Sequence, residues 1–257
     1  MVPNLTISFG EFPRTKPLFD GRVRMPGFNL QVLSEPFPAK GMLAGGYQHT
    51  RNQRMIKDRS FDICEMGMAP YLSARAAGVP VVAIPVFHYR RFRHSYIFCR
   101  KGIERPRDLV GGRVGIRRLD VSAAVWERAL LQHEYGIPLD RIIWVVCIDT
   151  PLSPNVRDRL IVERAPNENL EEMLIHGELD AVMEANNLVG FIQGNPMIRR
   201  LLGDNTTQLE VEYYGKTGIF PIMHTVVMRN DLVSEIVKFL VEIFLSDSCL
   251  NSSRCRL

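Results

Sequence analysis

The chain has 257 residues, 46% of them hydrophobic and 23% charged, with a formal net charge of +4. That length can bury a large core and lies near the limit at which one core gives way to two lobes. No apolar run reaches the roughly 18 residues of a membrane span, so no membrane partner is expected, and the charge is too small for the concentrated basic face that nucleic acid demands. It suits a small anionic ligand.

Met1 leads almost directly into a strand-like Leu-Thr-Ile-Ser-Phe, with no basic segment, apolar core or cleavage site before it, and a cytoplasmic protein is expected. The five cysteines (Cys64, Cys99, Cys147, Cys249 and Cys255) are odd in number and lack Cys-x-x-Cys spacing. They predict reduced, mostly buried thiols rather than a disulfide framework or a zinc site.

Residues 5–9 alternate as a strand and end at Gly10, where the absence of a side chain allows close backbone approach. Turn signals at Asp20-Gly21 and Pro26-Gly27 precede a second strand, Phe28 to Leu33. Residues 36–54 give no clear pattern, because glycines interrupt what would otherwise be a helix. A strand over Phe61 to Met66 and a helix over Ala69 to Ala77, closed by Gly78, continue the alternation of strand and helix that implies a largely parallel sheet.

Val79 to Val86 reads as a strand buried on both faces, and it runs abruptly into His88-Tyr89-Arg90-Arg91-Phe92-Arg93-His94. In open α/β sheets ligands bind past the carboxyl ends of strands, so this basic, aromatic stretch is either a ligand-facing cluster or a solvated loop. His94 to Arg100 is the next strand, and Pro106 to Ile116 a helical turn, a glycine break and a strand. Asp120 and Ser122 can cap a helix that runs to Tyr135 and stops before Gly136. Ile142 to Cys147 is a strand, and the segment up to Asn167 a polar loop. A helix follows over Leu170 to His176, then a strand ending at Glu184. Helical patterns at Leu188 to Gln193 and Pro196 to Leu202 precede strands at Leu209 to Tyr213 and near Ile219. His224-Thr225-Val226-Val227-Met228 echoes His94-Ser95-Tyr96-Ile97-Phe98, as expected of two crossings between lobes. The division predicted is 1–94 plus 224–257 for one lobe and 95–223 for the other. Asp231 to Leu245 is an amphipathic helix, and the tail from Ser246 is expected to be frayed.

These residues resemble the 4,5-dihydroxyphthalate decarboxylase family. The matching pieces are Gly10-Glu11-Phe12-Pro13-Arg14-Thr15-Lys16-Pro17-Leu18, Asp20-Gly21-Arg22-Val23, Phe61-Asp62-Ile63-Cys64-Glu65-Met66, Ala83-Ile84-Pro85-Val86-Phe87 through Phe92-Arg93-His94-Ser95, Asp108-Leu109-Val110-Gly111-Gly112-Arg113-Val114-Gly115, Ala123-Ala124-Val125-Trp126, and Pro221-Ile222-Met223-His224-Thr225. The resemblance implies an α/β, two-lobed fold of the type II periplasmic-binding-protein kind, with its ligand cleft between the lobes. It also implies cofactor-independent loss of CO2 from a hydroxylated aromatic dicarboxylate to give a dihydroxybenzoate. Family members continue past residue 257 with further helices, so a shortened chain is expected; homo-oligomerisation is left open.

For such a substrate one carboxylate must be held while the other departs. Arginine suits the clamp because its planar fork binds carboxylate bidentately, and Arg14, Arg91 and Arg93 are the candidates. The ring carbon must be protonated by a group that titrates near neutrality. His94 is the first candidate and His224 the second, the alternative for each being a structural hydrogen bond. Glu65 and Glu184 end strands and could orient the histidines or accept from ring hydroxyls; as ordinary ion-pair partners of the arginines they would do neither. Ser122 can bind carboxylate from the first turn of its helix and Trp126 can pack on the ring, unless the indole is simply core. No metal is expected, since the histidines are not spaced as ligands on one helix. Nor is a redox cofactor, because Gly111-Gly112-x-x-Gly115 lacks dinucleotide-binding spacing. The rival reading is a solute-binding protein that captures a small organic anion without chemistry, because one fold can host both functions.

Overall fold

The structure is a computed structural model that describes residues 3–34, 50–150 and 158–236. The chain divides into two compact units: residues 1–66, 71–88 and 224–257 form the first, and 67–70 with 89–223 the second.

The first unit is built on a five-stranded sheet. Its strands are β1 (Asn4–Phe9), β2 (Asn29–Ser34), β3 (Ile63–Gly67), β4 (Val81–Arg90) and β11 (Ile222–Arg229), ordered β2-β1-β3-β11-β4. β1 pairs in parallel with both β2 and β3. The short helix α1 (Lys16–Phe19) follows β1, α2 (Arg51–Lys57) precedes β3, and α3 (Met68–Ala76) follows it. The core gathers Met55, Phe61, Cys64, Met66, Val81 and Val227, all at most 1% exposed. A helix begins at residue 230 and supplies Leu232 and Ile236 to a second cluster with Leu5 and Met228.

The strand expected to be buried on both faces is instead the edge of this sheet. β4 leaves Val86 and Phe87 exposed, and it runs on through His88 to Arg90 rather than stopping before the cations. Pro85 fits such a place, since a proline cannot donate to a ladder on both sides.

The second unit carries a six-stranded mixed sheet ordered β10-β5-β9-β6-β7-β8. Its strands are β5 (Ile97–Arg100), β6 (Arg113–Ile116), β7 (Ile143–Val146), β8 (Ile161–Arg164), β9 (Ala181–Met183) and β10 (Ile198–Arg200). β6, β7, β8 and β9 run parallel, whereas β5 is antiparallel to both of its neighbours. Alternation sorts the side chains onto two covered faces. Ile97, Cys99, Val114, Ile116, Trp144, Val146, Ala181 and Met183 join Ala124 and Leu131 of α4 (Ser122–His133). Phe98, Val145 and Val182 join Leu170, Met173 and Leu174 of α5 (Leu170–Ile175) on the other face. α6 (Val189–Ile192) and α7 (Thr206–Thr217) complete the described helices of the unit.

Four expectations are corrected here. Residues 196–202 hold the strand β10, paired with β5, rather than a helix, and Leu209 to Tyr213 lies within helix α7 rather than in a strand. The polar segment before Asn167 contains β8, an exposed strand. At α4 the N-cap is Val121, without a side-chain cap; Asp120 is instead paired with Arg118. The helix expected over 231–245 is described only to residue 236, and the tail from Ser246 and most of the glycine-interrupted stretch lie outside the described residues. Cys64, Cys99 and Cys147 are free and buried, and burial pushes the Cys64 thiol up to about 12. Cys249 and Cys255 lie outside the described residues. Among the described residues no helix is long and apolar enough to cross a membrane.

Candidate functional site

Three neighbouring strands of the first unit each send one side chain to the same spot: Glu65 from β3, His224 from β11 and His88 from β4. Strands hold these groups more firmly than loops would. Glu65 is fully buried, and its Oε1 lies 2.6 Å from His224 Nδ1 and 3.0 Å from His88 Nε2. The other oxygen, Oε2, accepts the Gly10 N–H at 3.0 Å and lies 3.4 Å from an Nη2 of Arg51. Gly10 provides the close approach expected of it: a Cβ there would meet the Phe12 ring at 2.5 Å and Glu65 Oε2 at 3.3 Å. The buried hydroxyl of Thr15 fixes the loop beyond by donating to the Gly10 carbonyl at 2.6 Å.

Burial works to raise the Glu65 carboxyl, but the interactions with His224, His88 and Arg51 outweigh it and hold the group well below the usual carboxylate range. Glu65 is therefore a carboxylate, which can only accept, so His224 Nδ1 must donate to it. Burial pulls His224 below its ordinary 6.5 against the opposing pull of Glu65.

His88 and Arg51 complete the cluster. Sequence reasoning placed His88 among the cations without giving it a role, and it passed over Arg51 in a stretch without a pattern. Among the described residues neither ring nitrogen of His88 has a hydrogen-bond partner, Nε2 being out of line with Glu65, and Arg51 Nε and Nη1 are likewise buried without one. Each such group costs roughly 1–3 kcal/mol if left unsatisfied. The Glu65, His88 and His224 ligand atoms lie within 4.8 Å of one another, a set that could hold a metal ion and that no spacing on one helix would reveal. The expectation that no such residues gather is corrected. The 2.6 Å contact is nevertheless a hydrogen-bond length, and the Arg51 cation already sits beside the single carboxylate, which suits protons better than a divalent ion.

Of the residues singled out from sequence, the structure brings Glu65 and His224 together. Arg14, exposed, lies over the Phe12 ring at 4.2 Å. The remaining candidates belong to the second unit. Arg91 hydrogen-bonds to the hydroxyls of Tyr89 and Tyr96 and lies over the Tyr96 ring. Arg93 is 2% exposed and spends its donors on the Met223 sulfur and the Ala185 carbonyl. His94 is as buried as Arg93, against Phe92 and Tyr213, and its Nδ1 has no partner; burial lowers it to about 4. Ser122 accepts the Ala69 N–H at 3.1 Å, Trp126 donates to the Ile222 carbonyl at 3.1 Å, and Glu184 pairs with Arg117 at 3.2 Å.

Comparison with known proteins adds the family. A 4,5-dihydroxyphthalate decarboxylase of Comamonas testosteroni is 32% identical in an alignment of 245 residues that covers 90% of this chain and 69% of that protein. A second, from Pseudomonas putida, is 34% identical over 78% of each chain. The chain belongs to the 4,5-dihydroxyphthalate decarboxylase family. No family model matches the sequence. Among solved structures, the periplasmic aliphatic sulphonate binding protein SsuA of Escherichia coli is 16% identical with a TM-score of 0.53, over 95% of this chain and 71% of that one. The alkanesulfonate-binding protein SsuA of Xanthomonas axonopodis pv. citri is 15% identical with a TM-score of 0.52 over the same shares. At such identities the likeness is one of fold, and it establishes the periplasmic-binding-protein-like architecture expected of two α/β units.

Proposed function

We propose that this member of the family decarboxylates a hydroxylated aromatic dicarboxylate of the 4,5-dihydroxyphthalate type, giving a dihydroxybenzoate and CO2 without a cofactor. The reaction class rests on the two relatives, both named for it. The observation that carries it to particular atoms is the 2.6 Å hydrogen bond by which the buried Glu65 carboxylate fixes His224. With Nδ1 committed to Glu65, protonated His224 presents its Nε2–H as the acid. The proton adds to the ring carbon that bears the departing carboxylate, using a ring electron pair. The hydroxyl para to that carbon stabilises the dearomatised cation by sharing its oxygen lone pair. The carbon–carboxylate bond then breaks, its electrons restore the aromatic ring, and CO2 leaves. One proton is consumed per turnover and must return to His224 from solvent.

His224 takes first place and His94 second in this reading, the reverse of the order suggested by sequence, because the Glu65 carboxylate fixes His224 and favours its protonated form against burial, whereas no carboxylate holds His94 and burial lowers it to about 4. Arg91, Arg93 and Arg14 stay as candidates for gripping a carboxylate. Incubation with 4,5-dihydroxyphthalate in D2O tests the reaction: CO2 should appear, and the product should carry one deuterium at the vacated carbon. Tight binding of the diacid without release of CO2 would favour the solute-binding reading that the fold also accommodates.

A further inference from the structure

Around Glu65 the first unit holds more hydrogen-bonding capacity than its described residues use. Arg51 opens helix α2 with a side chain only 11% exposed. One of its terminal nitrogens faces Glu65 at 3.4 Å, beyond good hydrogen-bonding distance, while Nε and Nη1 are buried and unpartnered. Beside it on the same carboxylate stands His88, 13% exposed, with both ring nitrogens unpartnered. Buried guanidinium donors are almost always satisfied, so the unpartnered Arg51 nitrogens beside Glu65 and His88 point to an acceptor of another molecule. An anionic acceptor suits these donors, because the Arg51 guanidinium is a permanent cation whose Nε and Nη1 have no partner among the described residues. It must also bring several lone pairs to donors that point in different directions, which a carboxylate does and a lone hydroxyl does not. Phe9, packed edge-on to the His88 ring at 6.1 Å, gives the spot an aromatic wall.

We propose that Arg51 and His88 form a carboxylate-binding site in the first unit that grips the carboxylate retained by an aromatic dicarboxylate, with Glu65 holding both side chains in place. The inference rests on the functional reading above for the identity of the diacid, but not for its chemistry. Arg51 is a binding residue under this proposal, and His224 remains the proton donor.

Calorimetry with phthalate, which has both carboxylates and no ring hydroxyls, separates the two questions. The unmodified chain should bind it, and Arg51→Met should weaken binding by about 10²-fold, the scale of truncating one partner of a buried charged pair. Arg51→Lys should recover part of the loss, since it restores the charge without the planar fork. His88→Gln should weaken binding by about 10-fold, one hydrogen bond to a charged group. Benzoate should be affected by the Arg51 substitutions as phthalate is, because one carboxylate fills the site. Thermal unfolding of each variant checks that it is folded, and Arg51→Lys serves if Arg51→Met is not. With 4,5-dihydroxyphthalate as substrate, Arg51→Lys should raise KM with little change in kcat, the pattern of lost uniform binding. Folded Arg51→Lys and His88→Gln proteins that bind phthalate as the parent does would overturn the proposal. Arg51-dependent phthalate binding in a chain that releases no CO2 would support the site while removing the decarboxylase reading.

Discussion

His94 and His224 show how little a residue type says before its surroundings are known. Both open β-type runs in the sequence and both look like groups poised near neutrality, yet one rests on a buried carboxylate and the other on aromatic rings. His224→Gln should lower kcat by about 10²- to 10⁴-fold, the contribution of one positioned acid. Since the acid must be protonated, kcat/KM should fall as pH rises through a pKa set below 6.5 by burial. A profile flat across that region, or a larger kcat loss in His94→Gln, would return His94 to first place. The role expected of His94 is structural, and its pH signature is different. Its folded value of about 4 lies below the unfolded 6.5, so the unfolded chain binds the extra proton first. The stability linked to His94 is thus present above about pH 6.5 and is lost as pH falls towards 4, by up to roughly 3 kcal/mol. His94→Phe, which keeps the aromatic packing, should flatten the stability curve over that interval; denaturant melts at several pH values would show it. Arg51 and His88 were invisible to sequence reasoning for a related reason. Their significance lies in donors left without partners, a property of three-dimensional packing that no spacing encodes.

At the scale of elements, sequence patterns worked where strands were buried and failed where a strand was exposed or a helix carried an alternating sequence. β1, β3, β6, β7 and β9 carry apolar runs bounded by turns, and each lies where the pattern puts it. β8 contributes Ile161 and Val162 to an exposed edge, so its composition has no burial to report. Leu-Glu-Val-Glu-Tyr alternates like a strand, but residues 206, 209, 210, 213 and 217 are the ones shielded, a helical stripe that closes at Gly218 with φ of 66°. The extra length of β4 matters most. A strand that ends at Val86 leaves His88 in a loop, whereas one that runs to Arg90 sets it in the row with Glu65 and His224. Gly115 offers a test of element packing. It lies in β6 between β9 and β7, and a Cβ there would come within 2.6 Å of Leu179 and 3.1 Å of Leu170, both buried. Gly115→Val should therefore destabilise the protein by about 1–3 kcal/mol through overpacking, measured by urea unfolding, despite the usual preference of strands for valine.

The molecule as a whole is two units of unequal continuity. The second is nearly one run of chain, Tyr89 to Met223, with only residues 67–70 added, and its ends meet where the Arg91 N–H donates to the Pro221 carbonyl at 3.0 Å. It owns a complete six-stranded sheet with both faces covered, so a fragment of residues 89–223 should fold alone. Thermal melting of the fragment should be cooperative, with Trp144, wholly buried and donating to the Leu139 carbonyl, shielded from solvent until the transition. The first unit has no such independence. β11 lies between β3 and β4 in the sheet order, although it comes from the far end of the chain. A chain ended at residue 222 would thus lose the strand that joins β4 to the rest of its sheet, and His224 with it. Such a chain should keep the cooperative transition of the second unit while losing diacid binding and the protection of amide hydrogens in β3 and β4 against exchange. Retained protection in β3 and β4 would show that the sheet closes without β11, and the row of Glu65, His224 and His88 would then owe less to strand order than the structure indicates.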